Sequence, residues 1–151
     1  MAQEKQFENK VKSYLESIGC YALGTPKQNI TVPIVGYWEK RWGGGQFTKS
    51  GLPDIHVVLH GESIELELKA PTGKPSELQL KNLDLITKSE SIGFILVENK
   101  VDSIRLQKWI SNKYLQYSHI QVIDFNYLKT LCDEILQNKR ESILKNFLDS
   151  F

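Results

Sequence analysis

The chain has 151 residues, enough for one domain and hardly for two. It is 40% hydrophobic and 25% charged, which excludes a disordered chain, and a net charge of only +1 excludes arguing a nucleic-acid partner from total charge. No apolar run approaches the roughly 20 residues of a membrane span, and the two cysteines, Cys20 and Cys132, have neither disulfide-scaffold nor zinc-ligand spacing.

The first segment, residues 4–19, reads as an amphipathic helix rather than a signal peptide, with Phe7, Val11, Tyr14, Leu15 and Ile18 at helical spacing. A reducing cytoplasmic compartment is the expectation. Gly19 stops the helix, and residues 21–23 form a short strand. Residues 24–51 read as irregular, broken by Pro26 and Pro33 and ending in glycines. Alternation then sets in over residues 54–60 and again over 63–69, a hairpin with one apolar face. Ser76 caps a helix that runs to about Lys88. Residues 92–97 form a buried strand, 102–115 a helix with Ile104, Trp109 and Ile110 inward, and 120–123 a short strand. Two helices, 125–137 and 141–150, finish the pattern. The order predicts an α/β protein with a mixed central sheet flanked by helices. It is expected to be a single domain over 1–151, with a core in 1–99 and an extension in 100–151.

Charge is unevenly spread. Residues 1–50 carry a balance of +3, residues 51–99 of −4 and residues 100–151 of +2. An acidic middle between basic flanks suits a metal centre in a phosphate-binding frame, and equally suits chance. The hairpin is more specific. If Gly61-Glu62 is the turn, Asp54 faces Lys69 and His56 faces Glu67. Asp54 and Glu67 are then diagonal neighbours on the polar face, about 7–8 Å apart or less at Cβ, within reach of one shared ion such as Mg²⁺. Taken alone, this polar face reads more readily as a solvated strand face with a cross-strand Asp–Lys pair.

Three strings occur in order: Ser50-Gly51-Leu52-Pro53-Asp54, then Glu67-Leu68-Lys69-Ala70-Pro71, then Lys74-Pro75-Ser76-Glu77-Leu78-Gln79-Leu80. Together they resemble the PD-(D/E)XK nucleases, more narrowly the virus-type replication-repair nuclease (VRR-NUC) domain found as small stand-alone phage proteins. The resemblance runs from the first helix to about Val97. It implies a restriction-endonuclease-like fold and a metal-dependent DNA endonuclease using Mg²⁺, with Mn²⁺ as substitute. Asp54 and Glu67 match the family's carboxylate ligands, and the carbonyl of Leu68 completes the protein's share. Lys69 matches the lysine that orients the attacking water, and Gln79 the glutamine of the following helix. Glu8 is the best match to the glutamate of the first helix, with Glu4 next. Small members act on branched DNA as dimers, so the resemblance implies a junction-resolving or structure-specific role in phage or bacterial recombination, replication or repair.

Rival readings are a sequence-tolerant duplex endonuclease or nickase, a counter-defence nuclease, and a non-catalytic DNA-binding or inhibitory protein on a nuclease scaffold. Trp38, Lys40, Arg41 and Trp42 offer stacking and phosphate contacts just upstream of Asp54, or else tuck into the core. Lys49, Lys74 and Ser76 are further DNA-contact candidates. His56 either touches the site or is a half-exposed histidine, and Glu65 reads as a solvated charge. The stripe of Ile143, Leu144, Phe147, Leu148 and Phe151 reads either as packing on the sheet or as a dimer surface.

Overall fold

A computed structural model describes residues 2–41 and 51–150. Helix α1 (Ala2–Ser17) buries Phe7, Val11 and Leu15 along one face, and Gly19 ends it at φ 94°. Strand β1 (Cys20–Ala22) runs parallel to β2 (Gly36–Lys40). The expected irregular stretch therefore contains a strand. Its alternation is short, with Trp38 buried between exposed Tyr37 and Glu39. Gly36 permits the close approach of β2 to its neighbour, because a Cβ there would lie 2.0 Å from the Val58 carbonyl oxygen.

Strands β3 (Ile55–Leu59) and β4 (Glu62–Leu68) form the expected hairpin, but its turn is His60-Gly61. Both turn residues have positive φ, 47° and 84°, as a two-residue type I′ turn requires. Ile55 faces Leu66 and Leu59 faces Glu62. The register is thus two residues from the expected one. A shift of two leaves every side chain on its face, so the apolar and polar faces stand. It changes the partners: His56 faces Glu65 rather than Glu67, and the next pair in register brings Asp54 opposite Glu67 rather than Lys69.

Helix α2 (Glu77–Lys88), strand β5 (Ile92–Val97), helix α3 (Lys100–Lys113) and strand β6 (Val122–Asp124) follow as successive parallel units on β4. The last helix, α4, is continuous over Phe125–Asp149 instead of two pieces. Residues 138–140, Asn-Lys-Arg, contain no glycine or proline to break it. On α3, Ile104 is exposed while Leu106 and Ile110 face inward.

The strands form one six-stranded mixed sheet in the order β1-β2-β3-β4-β5-β6. One face packs against α1 and α4 through Phe7, Val11, Leu15, Ile55, Leu66, Phe94, Leu96, Phe125 and Leu128. On the other, Ile95 and Val97 pack against Leu80 and Leu83 of α2 and Leu106 and Ile110 of α3. The protein is therefore α/β, a mixed sheet flanked by helices. Because β6 pairs with β5, the sheet is continuous across residue 100. No helix among the described residues is long and apolar enough to cross a membrane.

Candidate active site

The α2-side face of the hairpin is polar where the other face is not. At the end where β4 leaves the sheet, Asp54, Glu67, Lys69 and Gln79 come together. Asp54 sits just before β3, and its Oδ2 accepts the backbone N–H of Leu68 at 2.8 Å. Glu67 is almost fully buried, at 1% exposure. Its Oε2 accepts from Gln79 Nε2 at 3.1 Å and lies 3.2 Å from Lys69 Nζ. Its Oε1 is buried with no hydrogen-bond partner.

Gln79 reaches Glu67 because the start of α2 aims it. Ser76 Oγ accepts the Gln79 N–H at 3.1 Å, and Gln79 Oε1 accepts the Ser76 N–H at 2.9 Å, a reciprocal capping box. Ser76 itself is exposed.

The charges at this end are strained electrostatically. Burial raises Asp54 above its ordinary value, against the pull of the Leu68 N–H and Lys69. Burial and the adjacent Asp54 charge push Glu67 up to about 8, although Lys69 opposes them. Among the described residues, no three acidic, histidine or cysteine side chains converge as a metal-ligand group. The site offers a carboxylate pair instead. That set still fits Mg²⁺, which is commonly bound by one or two carboxylates with water and substrate phosphate filling the rest. The Asp54 and Glu67 carboxyls lie against each other with one ammonium, Lys69, beside them, so the pair carries more negative than positive charge once both ionise.

No protein-family model matches the chain, and no curated protein matches it.

Glu8, on α1, is placed differently. Its Oε2 accepts from Lys5 and Lys12, each at 2.9 Å, and its Oε1 pairs with Lys40. Burial alone would raise it; Lys40, Lys12 and Lys5 together outweigh burial and hold its carboxyl at about 2. Its charge reaches Asp54 and adds to that group's upward shift. Both Glu8 oxygens are thus engaged by ammonium groups, unlike those of Glu67.

The upstream DNA-contact candidates divide. Trp38 is buried in β2, beneath the Lys12 ammonium, so it belongs to the core rather than to an exposed loop. Lys40 pairs with Glu8. Arg41 grips both oxygens of Glu65 and the Pro53 carbonyl. Trp42 and Lys49 lie outside the described residues. Lys74 is exposed beyond this end of the sheet, with its ammonium over the Trp109 ring. Glu65 is buried, not solvated, and binds His56 Nδ1 at 2.7 Å as well as Arg41. The sequence signal for it was the hairpin register: with the turn at His60-Gly61, His56 falls opposite Glu65.

Proposed function

We propose that the protein is a metal-dependent DNA endonuclease of the PD-(D/E)XK type, its mixed sheet being a restriction-endonuclease-like one. The observation that carries this reading is the buried Glu67 carboxyl set against the Asp54 carboxyl, with Lys69 and Gln79 on the same Glu67 oxygen. A solvated strand face does not bury a glutamate to 1% exposure against a second acid.

Asp54, Glu67 and the Leu68 carbonyl would hold a hard divalent ion, Mg²⁺ with Mn²⁺ as substitute. When bound, the ion supplies Lewis-acid polarisation of the phosphate and a lowered pKa for a coordinated water. The chain's own residues do the rest. The Leu68 N–H holds one Asp54 oxygen, so the carboxylate has a fixed orientation. Gln79 fixes Glu67 in the same way. Lys69 places a positive charge beside the carboxylate pair, where it meets negative charge developing on the phosphate. Glu8 enters as a neighbouring charge that anchors Lys40, Lys12 and Lys5.

The proposed substrate is branched DNA and the proposed working form a homodimer, which supplies two related sites for two cuts. The exposed Ile143, Leu144, Phe147 and Leu148 of α4 support a pairing surface. The deciding assay offers junction, flap, single-stranded, linear and supercoiled DNA to purified protein with Mg²⁺ or Mn²⁺. Metal-dependent cutting of the branched substrates is expected. No cutting of any substrate overturns the reading.

A further inference from the structure

We propose that a cleft over Trp109 is a subsite for one unpaired nucleotide of the strand entering the catalytic end. The inference rests on the nuclease reading and narrows its substrate to nucleic acid with an unpaired base near the cut.

The cleft lies between α3 and the turn that follows Lys69. Pro71, Gly73 and Lys74 form one wall, and Arg105 and Trp109 the other. The Gly73 N–H donates to the Ala70 carbonyl at 2.9 Å, closing the turn. A Cβ at Gly73 would lie 3.4 Å from Lys69 Cδ, so the catalytic lysine's stem packs against the cleft wall. Pro71 also borders a second hollow, lined by Lys69 and Phe7. Pro71 thus stands between the cleft and the hollow that Lys69 lines, which sets the cleft beside the proposed catalytic lysine.

Its chemistry is that of a nucleotide. The Trp109 ring is half-buried and held edge-on by Tyr114, centroids 6.0 Å apart, so it is a rigid platform. The ammonium groups of Lys74 and Lys113 each lie 5.5 Å from the ring centroid. Arg105 adds a third cation, shared with Asp102 at 3.3 Å. An aromatic plate ringed by cations accepts a flat base on its face and a phosphate at its rim. Lys74, being exposed, yields the ring face to a base and turns to the phosphate. The cleft holds about 270 Å³, below the roughly 300–1,000 Å³ of pockets that enclose drug-sized ligands. That suits one base. A blunt duplex buries its base faces in the stack and offers none to Trp109.

The test is binding in EDTA, where nothing is cut, read by fluorescence anisotropy. The probes are a labelled duplex with a single-stranded overhang and a blunt duplex of equal length. Trp109→Ala should weaken overhang binding about tenfold and leave the blunt duplex unchanged. Trp109→Phe, which keeps an aromatic face, should retain most of the affinity. Lys74→Ala should lower the salt slope for the overhang probe by about one. Equal weakening on both probes, or none on the overhang, overturns the subsite. If wild type also cleaves with Mg²⁺, that result leaves the nuclease reading standing. Wild type that binds neither probe overturns the subsite, whereas the nuclease reading falls only if no substrate is cut.

Discussion

Two buried glutamates near one end of the sheet have been given opposite surroundings. Glu8 has three ammonium groups for one carboxylate and is held at about 2. Glu67 shares a single lysine with a second acid that lies against it and is pushed to about 8. Burial raises both, and raises the deeper Glu67 more; the local charge balance then pulls Glu8 down and pushes Glu67 further up. Glu8 is a finished ion-pair network, whereas Glu67 belongs to a site with a net deficit of positive charge.

The comparison is broken most sharply by activity. Asp54→Ala, Glu67→Ala and Lys69→Ala should each reduce Mg²⁺-dependent cleavage by a factor on the order of 10³ or more, measured on a labelled branched substrate. Glu8→Gln should lose far less. A Glu8→Gln protein as inactive as Glu67→Ala would make the two carboxylates partners in the proposed chemistry and end the distinction.

Metal binding comes next. Titrating Mn²⁺ into metal-free protein by calorimetry should show binding to wild type and to Glu8→Gln, and none to Asp54→Ala or Glu67→Ala. Cleavage should stop in EDTA and should not be supported by Ca²⁺, whose larger, looser shell does not hold the octahedral arrangement.

Smaller effects lie in stability, and they should have opposite pH slopes. In EDTA, the unfolded Glu67 ionises near its ordinary 4.5 while the folded one holds its proton to about 8. The unfolded state then binds fewer protons over that window, so stability falls as pH rises from 4.5 to 8. Glu67→Gln should therefore melt higher than wild type at pH 8, with the gap closing by pH 4. Glu8 runs the other way. Its folded value near 2 means its stabilisation is present above 4.5 and is lost as pH falls toward 2. Glu8→Gln should melt lower than wild type at pH 7 and match it near pH 2. Thermal melts of both variants across pH 2–9 would check the pair; slopes of the same sign would refute the charge-balance explanation.

What the sequence made legible follows from how each feature is encoded. The hairpin's faces were readable because strand alternation has a period of two and survives a register error of two. The partners across the hairpin were not, because His60-Gly61 and Gly61-Glu62 are both plausible turns and only the backbone shows which residues take positive φ. Strand β2 escaped notice because one buried residue, Trp38, is too few to display a period. The convergence of Asp54, Glu67, Lys69 and Gln79 came from motif order. The saturation of Glu8 did not, since Lys40 reaches it from a strand that the pattern did not reveal. Trp109 read only as a core-facing residue, because its neighbour Lys74 lies 35 positions away and packs on it through the fold.

The cap on α2 has a consequence for the direction from which Glu67 can be approached. A glutamine amide has two ends that differ only in which atom donates. In Gln79 the oxygen end is committed to the Ser76 N–H, so the nitrogen end must face Glu67. A half-turn of the amide would set oxygen against oxygen at one end and donor against donor at the other. The helix start thus acts as a keyed fitting: it occupies Glu67 Oε2 and leaves the buried Oε1 outside its reach. Gln79→Glu would lose that key, placing a second acceptor against Glu67, while Gln79→Leu would keep the helix and erase the handedness of the pocket.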